Sequence, residues 1–361
     1  MKTTRIIAAV ALCMLSLGTS AQTAQRLAAT KANDYALVYT LPTTQLTVTL
    51  EAETTVKRPG EFYKYAKKYL NINDPITKES RTVRLKSATL ATRGVPDADE
   101  RYAIQFKAGT DPYMLLSPSN IPLAINTDRT MPEEKPVLPE AVPAPPTPLE
   151  TAAARQVISE EMMQSQSTAK RAELAASALF AIRQTRSELI SGQAEQTPPD
   201  GKSLQLMLDN LEAQEQALMA MFVGTTSVST DVATFSVTPE EDINRMVIAR
   251  ISPIDGIIDA SDLSGDPVYL DLQVTHRGEM PVNEKGVQLA APKNGVAYCI
   301  PGTALVTVTC AGEVFAERDE EFAQFGVVYG LAPNAFTDRK APIFVIFDPA
   351  TGAIVTQGPA E

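Results

Sequence analysis

The chain of 361 residues has no tryptophan, one histidine and three cysteines. A single histidine, His276 in the 274–278 segment, excludes multi-histidine zinc sites and leaves a Ser–His or Cys–His pair without the motif around it that such chemistry needs. His276 itself reads as a strand-end residue. The absence of tryptophan removes the favoured aromatic face for stacking sugars, although 10 Tyr and 11 Phe remain to replace it. Gly-x-Ser-x-Gly, the P-loop and the dinucleotide glycine fingerprint are all missing. Positive charge is also scarce: 32 basic against 43 acidic residues give a net charge of −11. That balance speaks against nucleic acid, which demands clustered Lys and Arg. It also speaks against adsorption to anionic lipid, except through a local patch of opposite sign. After residue 21 no apolar run reaches the roughly 18 residues that a membrane-spanning helix needs.

What is present is ordinary for a globular protein. The apolar share is 44% and the charged share 21%, which excludes global disorder. The length suits two domains at about 100–200 residues each. Met1–Ala21 reads as a Sec-type signal peptide: Lys2 and Arg5 precede an apolar stretch from Ile6 to Leu17, and Thr19, Ser20 and Ala21 supply the small residues of a cleavage site. Export to the periplasm or the outer membrane is therefore expected, with no integral membrane segment after cleavage. Cleavage removes Cys13 and leaves Cys299 and Cys310. An even pair in an oxidising compartment is compatible with a disulfide. A hairpin centred on Pro301–Gly302 would set Cys299 opposite Ala304, so a bond needs a wider loop; a disulfide and two buried free thiols both stay open.

The expected fold class is α+β, mostly β: two sandwich-like β-rich regions with a long antiparallel helical hairpin between them. The first region, 22–130, shows period-2 strands at Tyr35–Tyr39 and Leu46–Leu50 with a turn at Leu41–Pro42. A short helix at 61–70 and strands at Arg81–Ala91, Arg101–Lys107, Tyr113–Leu116 and Pro122–Ile125 follow. Residues 131–150 hold seven prolines in twenty and read as an extended linker. Residues 151–223 form the hairpin: helices over Thr168–Ser191 and Lys202–Val223, about 35 and 33 Å long, flank Pro198-Pro199-Asp200-Gly201. Residues 151–166 are read as an extension of the first helix. A turn pairing 192 with 201 sets Arg183 opposite Asn210, which predicts an interhelical ion pair of Arg183 with Glu212 or its neighbour Asp209. The second β-rich region spans 224–361, and 224–253 fit equally as the completion of the first.

Few side chains stand out chemically. Asp255, Asp259, Asp262 and Asp266 lie in one Gly-containing loop and are candidate Ca²⁺ ligands. Their spacing does not match an EF-hand, and Asp also caps helices and forms turns. No cofactor is expected.

Several segments taken in order resemble an uncharacterised family of exported proteins, a domain of unknown function widespread in Bacteroidetes. They are Tyr39-Thr40-Leu41-Pro42; the run 58–70; Ile182-Arg183-Gln184-Thr185-Arg186; Gln214-Glu215; Phe222-Val223-Gly224; Ala323-Gln324-Phe325-Gly326; and Asp348-Pro349-Ala350-Thr351-Gly352. The resemblance implies export into a Gram-negative envelope and carries no activity or site residue with it. The functional expectation is a non-enzymatic envelope protein, a binding or structural module whose hairpin meets another envelope protein. The alternative is a secreted hydrolase using an Asp/Glu pair that no context singles out.

Overall fold

A computed structural model describes residues 25–28, 37–104, 112–132, 138–194, 201–289, 295–332, 334–338 and 342–360. The expected signal peptide at Met1–Ala21 lies outside them. Strands make up 47% and helices 24%, so the fold is α+β and mostly β.

Among the described residues the strands form three antiparallel sheets. The first joins β2 (Leu37–Arg58) to β3 (Ser80–Ile104) on one side and to β6 (Thr225–Val237) on the other. The second has β7 (Ile243–Ser252), β8 (Gly256–Ile258), β9 (Asp266–His276), β10 (Val296–Cys310) and β11 (Glu313–Leu331) in the order β11-β10-β9-β7-β8. The third has β1 (Gln25–Ala28), β4 (Tyr113–Leu116), β5 (Pro122–Ile125), β12 (Ile343–Phe347) and β13 (Ile354–Pro359) in the order β1-β4-β5-β12-β13.

Period-2 side chains build the cores. Leu46, Val48, Leu50 and Ala52 of β2 face Val268, Leu270 and Leu272 of β9 and Ala304, Val306, Val308 and Cys310 of β10. A second core collects Leu37, Tyr39 and Leu41 from the start of β2, Ile104 at the end of β3, Val296 and Ala297 at the start of β10, and Met114, Leu116, Val345 and Phe347 from the third sheet. The same long strands thus serve both cores. In β2 the buried positions change from odd to even numbers between the two, and a register shift between Thr40 and Pro42 supplies the extra residue this needs.

Two expectations are corrected here. Leu41–Pro42 and Pro301–Gly302 are not turns between separate strands but bends inside β2 and β10. Pro42 lies opposite Pro96 at the bulge, where neither ring is asked for a ladder N–H. The β-rich regions before and after the helices are also not separate: β6 pairs β2 along its length, in keeping with 224–253 as the completion of the first region, but β12 pairs β5 as well.

The bends coincide. β11 leaves its ladder between Phe322 and Val327, opposite the irregularity of β10 at Ile300–Gly302. The Gln324 amide there takes the place of a neighbouring strand: it accepts from Thr44 N–H at 2.9 Å and donates to Thr44 C=O at 2.9 Å. The Thr44 hydroxyl, fully buried, accepts from Ala323 N–H at 3.0 Å and donates to Ala350 C=O at 2.9 Å. Cys299 N–H donates to Gly352 C=O at 3.0 Å. A Cβ on Gly326 would sit 2.1 Å from Ile300 O, and Gly352 has φ +72°, so both positions need glycine.

The helices form a second body at the far end of β2. Three short-range caps divide residues 151–191. Thr151 caps α2 (Ala152–Gln156), Ser159 caps α3 (Glu160–Gln164) and Ser167 caps α4 (Thr168–Ser191), each accepting a backbone N–H of its own helix. Residues 151–166 are therefore two separate helices rather than an extension of α4. After β2, a turn of 3₁₀ helix and α1 (Ala66–Leu70) lead to a loop that caps the end of α5 (Gly201–Val223). Phe62 N–H donates to Met221 C=O at 2.7 Å and Ile76 N–H to Val223 C=O at 2.9 Å, which satisfies carbonyls that a helix end leaves orphaned. The proline-rich segment is not wholly free either. Val142 exchanges two backbone hydrogen bonds with Thr230 on the outer edge of β6, which covers part of an open strand edge.

The Thr44 hydroxyl gives a direct test of the bend. Thr44→Val keeps the shape but strands Ala323 N–H and Ala350 C=O. We expect a loss of about 1–3 kcal/mol in urea unfolding, the cost of leaving buried polar groups unpaired; unchanged stability would remove the bend from its place at the centre of the fold.

Candidate functional site

Helix α4 is anchored by small side chains. Ala172, Ala175, Ala176 and Leu179 lie buried against Ala217, Leu218, Met221 and Phe222 of α5, with Ala154, Val157 and Met162 closing the core from below. The rings of Phe62 and Phe222 stand 5.5 Å apart within it. Arg171 adds a two-pronged ion pair to Glu61, at 2.6 and 3.1 Å. Away from this core both helices carry exposed apolar side chains, Phe180 at 51%, Ile190 at 66%, Leu206 at 64% and Met207 at 41% exposure, although Leu189 near the end of α4 is buried.

On α4, positions 183, 186, 187, 190 and 191 follow helical spacing and share one stripe. Across from it stands Glu215 of α5. Its carboxylate accepts from Arg183 Nε at 2.7 Å and from Arg186 Nη1 at 3.0 Å. The second Nη of Arg183 rests 3.4 Å from Met219 Sδ. Arg183, Arg186, Ser187, Ile190, Ser191 and Glu215 together line a concavity of about 440 Å³. One carboxylate between two guanidinium groups leaves a local surplus of positive charge on an acidic chain.

The expected partner of Arg183, Glu212, is corrected to Glu215. The expectation placed the helices by a turn pairing 192 with 201; the register is set instead by the Ala172–Leu179 face meeting Ala217–Phe222. Glu212 is exposed and accepts from Gln216 on its own helix at 3.4 Å. The residues of the intervening loop from 195 to 200 lie outside those described.

The other sequence candidates do not converge. Asp259 and Asp262 each close a local turn, accepting from Ser261 and Ser264 respectively, and these bonds hold both carboxyls below their ordinary range. Asp255 turns towards Ser252, and Asp266 opens β9. Among the described residues no group of three or more His, Cys, Asp or Glu side chains could hold a metal ion. His276 ends β9 and is exposed.

Of the two alternatives for Cys299 and Cys310, the structure has the buried free thiols and not the disulfide. Both lie on β10, eleven residues apart, about 35 Å along a straight strand against the roughly 7 Å between Cα atoms that a bond tolerates. Burial, with help from the charges of Glu100 and Glu321, pushes the Cys299 thiol up to about 12. Burial likewise raises Cys310, ahead of Asp266 and Glu313. Neither is a nucleophile at neutral pH. Cys299 borders a small cavity of about 150 Å³ at the strand bends, whose rim includes Asp97, Glu100 and Gln324. The Glu100 carboxylate there is engaged by the Tyr102 hydroxyl. Sequence reasoning missed this convergence, because its parts come from β2, β3, β10 and β11.

Basic side chains also gather around α1, where Arg58 is ion-paired with Glu79 at 3.2 Å. Lys57, Arg58, Lys64, Lys67 and Lys68 are all exposed around α1, with the Lys68 ammonium 4.7 Å from the centre of the Tyr69 ring.

Residues 35–355 match the model of a family described as Domain of unknown function (DUF4831). No curated protein and no solved structure matches the chain.

Two outcomes follow from this geometry. A double-mutant cycle on Arg183→Ala and Glu215→Ala should give a coupling of about 0.2–1 kcal/mol, the range of exposed pairs. The same cycle with Glu212→Ala should give none; the reverse result would reinstate the original register. The thiols should resist Ellman's reagent in the native protein at pH 8 and react on unfolding. An unfolded thiol ionises near 8.5, while folded Cys299 keeps its proton to about 12. Its contribution to stability is therefore complete below the unfolded value and lost as pH rises through the folded one. A Cys299→Ala variant should flatten the fall in stability above about pH 9.

Proposed function

The chain belongs to the DUF4831 family, and we propose that this member is an exported, non-enzymatic envelope protein that works by binding another protein. In this reading Met1–Ala21 directs export to the periplasm or to the outer membrane. Among the described residues no helix is long and apolar enough to cross a membrane, which fits attachment by contact rather than by a spanning helix. Helices α4 and α5 act as an antiparallel hairpin, anchored along one face and available on the others.

One observation carries the proposal. The helix pair buries Leu179, Leu189 and Leu218, whereas Phe180, Ile190, Leu206 and Met207 on its other faces stand 41–66% exposed. Large apolar side chains left in water on a stiff element are what protein docking surfaces present. The buried thiols and the turn-bound aspartates give no competing chemistry of comparable definition.

The test has two parts. The N-terminus of protein purified from the envelope should begin at Gln22. Cross-linking in intact cells should then capture a neighbour with the parent chain and lose it with Phe180→Ser plus Leu206→Ser, at unchanged melting temperature. A cytoplasmic chain that keeps Met1, or a neighbour captured equally by both forms, would overturn the reading.

A further inference from the structure

We infer that the concavity between α4 and α5 is an anion site that takes a phosphoryl group, held by Arg183 and Arg186 with Ser187 and Ser191. The inference is separable from the protein-docking reading: the two share Ile190, but Arg183, Arg186 and Ser187 carry this one, whereas Phe180 and Leu206 test the other.

The first argument is charge. Glu215 sits in the wall of the site, but its single negative charge is already shared by two guanidinium groups. The cluster keeps one net positive charge on a chain whose overall charge is −11. A cation would gain nothing here from either guanidinium; a doubly charged oxyanion would more than neutralise the surplus. Glu188 and Glu212 stand within a turn of this cluster on α4 and α5, and each accepts from a glutamine of its own helix, Gln184 and Gln216.

The second argument is donor supply. A guanidinium offers five N–H donors. Arg183 commits Nε to Glu215 and one Nη to the Met219 sulfur, and Arg186 commits Nη1 to Glu215. Their other N–H groups have no partner among the described residues, and neither does the Ser187 hydroxyl. Ser191 donates to its own helix, to Glu188 C=O at 3.3 Å, and can turn towards a ligand at small cost. Donors arriving from two arginines and two hydroxyls suit a tetrahedral oxyanion better than a planar carboxylate.

The third argument is preorganisation. Glu215 is only 16% exposed and pins both arginine heads before any ligand arrives. Ordering those long side chains, a large entropic cost of binding an ion at a surface, is thus met by the fold. The volume of about 440 Å³ exceeds that of a bare ion and suits a phosphate carried on a larger body. Ile190, 66% exposed at the rim, offers that body an apolar contact.

The group could reach the site as a soluble phosphate ester or as a lipid headgroup. Mature full-length protein would be titrated with inorganic phosphate and glycerol phosphate while the arginine Nε–H resonances are followed. In parallel it would be sedimented with vesicles of phosphatidylglycerol and of phosphatidylcholine. The site predicts phosphate-dependent shifts at Arg183 and Arg186, weakened at least tenfold by Arg186→Gln and severalfold by Ser187→Ala. Ser187→Ala leaves the clamp intact and guards against a folding artefact. Binding of glycerol phosphate alone assigns a soluble source. Retention on phosphatidylglycerol that Arg186→Gln abolishes assigns a lipid source. No shift with any probe, or shifts and retention that ignore both substitutions, overturns the inference; capture of a protein neighbour through Phe180 and Leu206 would be untouched by that failure.

Discussion

The structure depends on long strands that bend together. β2, β3, β10 and β11 each run through two cores. A strand can do that only if it changes direction and side-chain parity without losing its neighbours. Bulges provide the change, but they leave ladder groups without partners, and these must be found elsewhere. Here they come from two side chains. The Gln324 amide satisfies both backbone groups of Thr44, and the Thr44 hydroxyl returns the bond to Ala323 while reaching Ala350. The turn at 348–352 is fastened to the same point through Cys299 N–H and Gly352 C=O. Three of the segments that carry the family resemblance, at 39–42, 323–326 and 348–352, therefore meet in space. What looked like separate signatures is one joint.

A second joint fixes the helices. The segment after β2 passes so close to α5 that a Cβ on Gly60 would stand 2.3 Å from Met221 O. Its amides close the open end of α5, and Phe62 enters the helical core. Because β2 continues directly into this segment, the helix pair is tied to the stiffest strand of the body and not to a loose connector. The proline-rich stretch before α2 reads from sequence as a semi-rigid extended linker. Its pairing with β6 at Val142 shows how prolines and a short bridge can hold a segment on an edge without making a full strand.

The sequence made some of this legible and hid the rest for physical reasons. Period-2 alternation marked the strands, and the mostly β class followed from it. The extents of α4 and α5 were legible in the Ala and Leu spacing, and Ser167 and Gly192 prove to cap the two ends of α4. Proline and glycine misled at 41–42 and 301–302, because the same residues that end strands also bend them, and only the partner strand decides which. The β-rich regions read as separate because strand pairing across the helices leaves no local trace. Arg183 was recognised as an interhelical ion-pair residue but given the wrong acid. Helix register comes from which small side chains interlock, and alanine periodicity shows a face without showing what it meets. The aspartates at 255–266 illustrate the opposite limit. Their clustering is visible in the sequence, but Asp259 and Asp262 are used by serines two residues on and Asp255 by Ser252 three residues before it, so proximity in sequence did not become convergence in space.

These two joints also explain where chemistry can sit. Residues at the bends are consumed in holding the strands: Cys299 keeps its proton, Glu100 is bound by Tyr102, and Gln324 is fully engaged. Groups committed in this way have little freedom to act on a ligand, and the cavity they surround is about 150 Å³. The helix pair is the reverse case. Its stabilising contacts run along one face, from Ala172 to Leu189 on α4 and from Ala217 to Phe222 on α5, which leaves the other faces free of that duty. There a buried-edge glutamate orients two arginines, while apolar side chains remain in water. Removing those exposed groups should cost the fold little, because they pack against nothing that the cores require. That separation between residues that hold and residues that are free to bind is the physical reason for looking at α4 and α5, and not at the larger β body, for what this protein does.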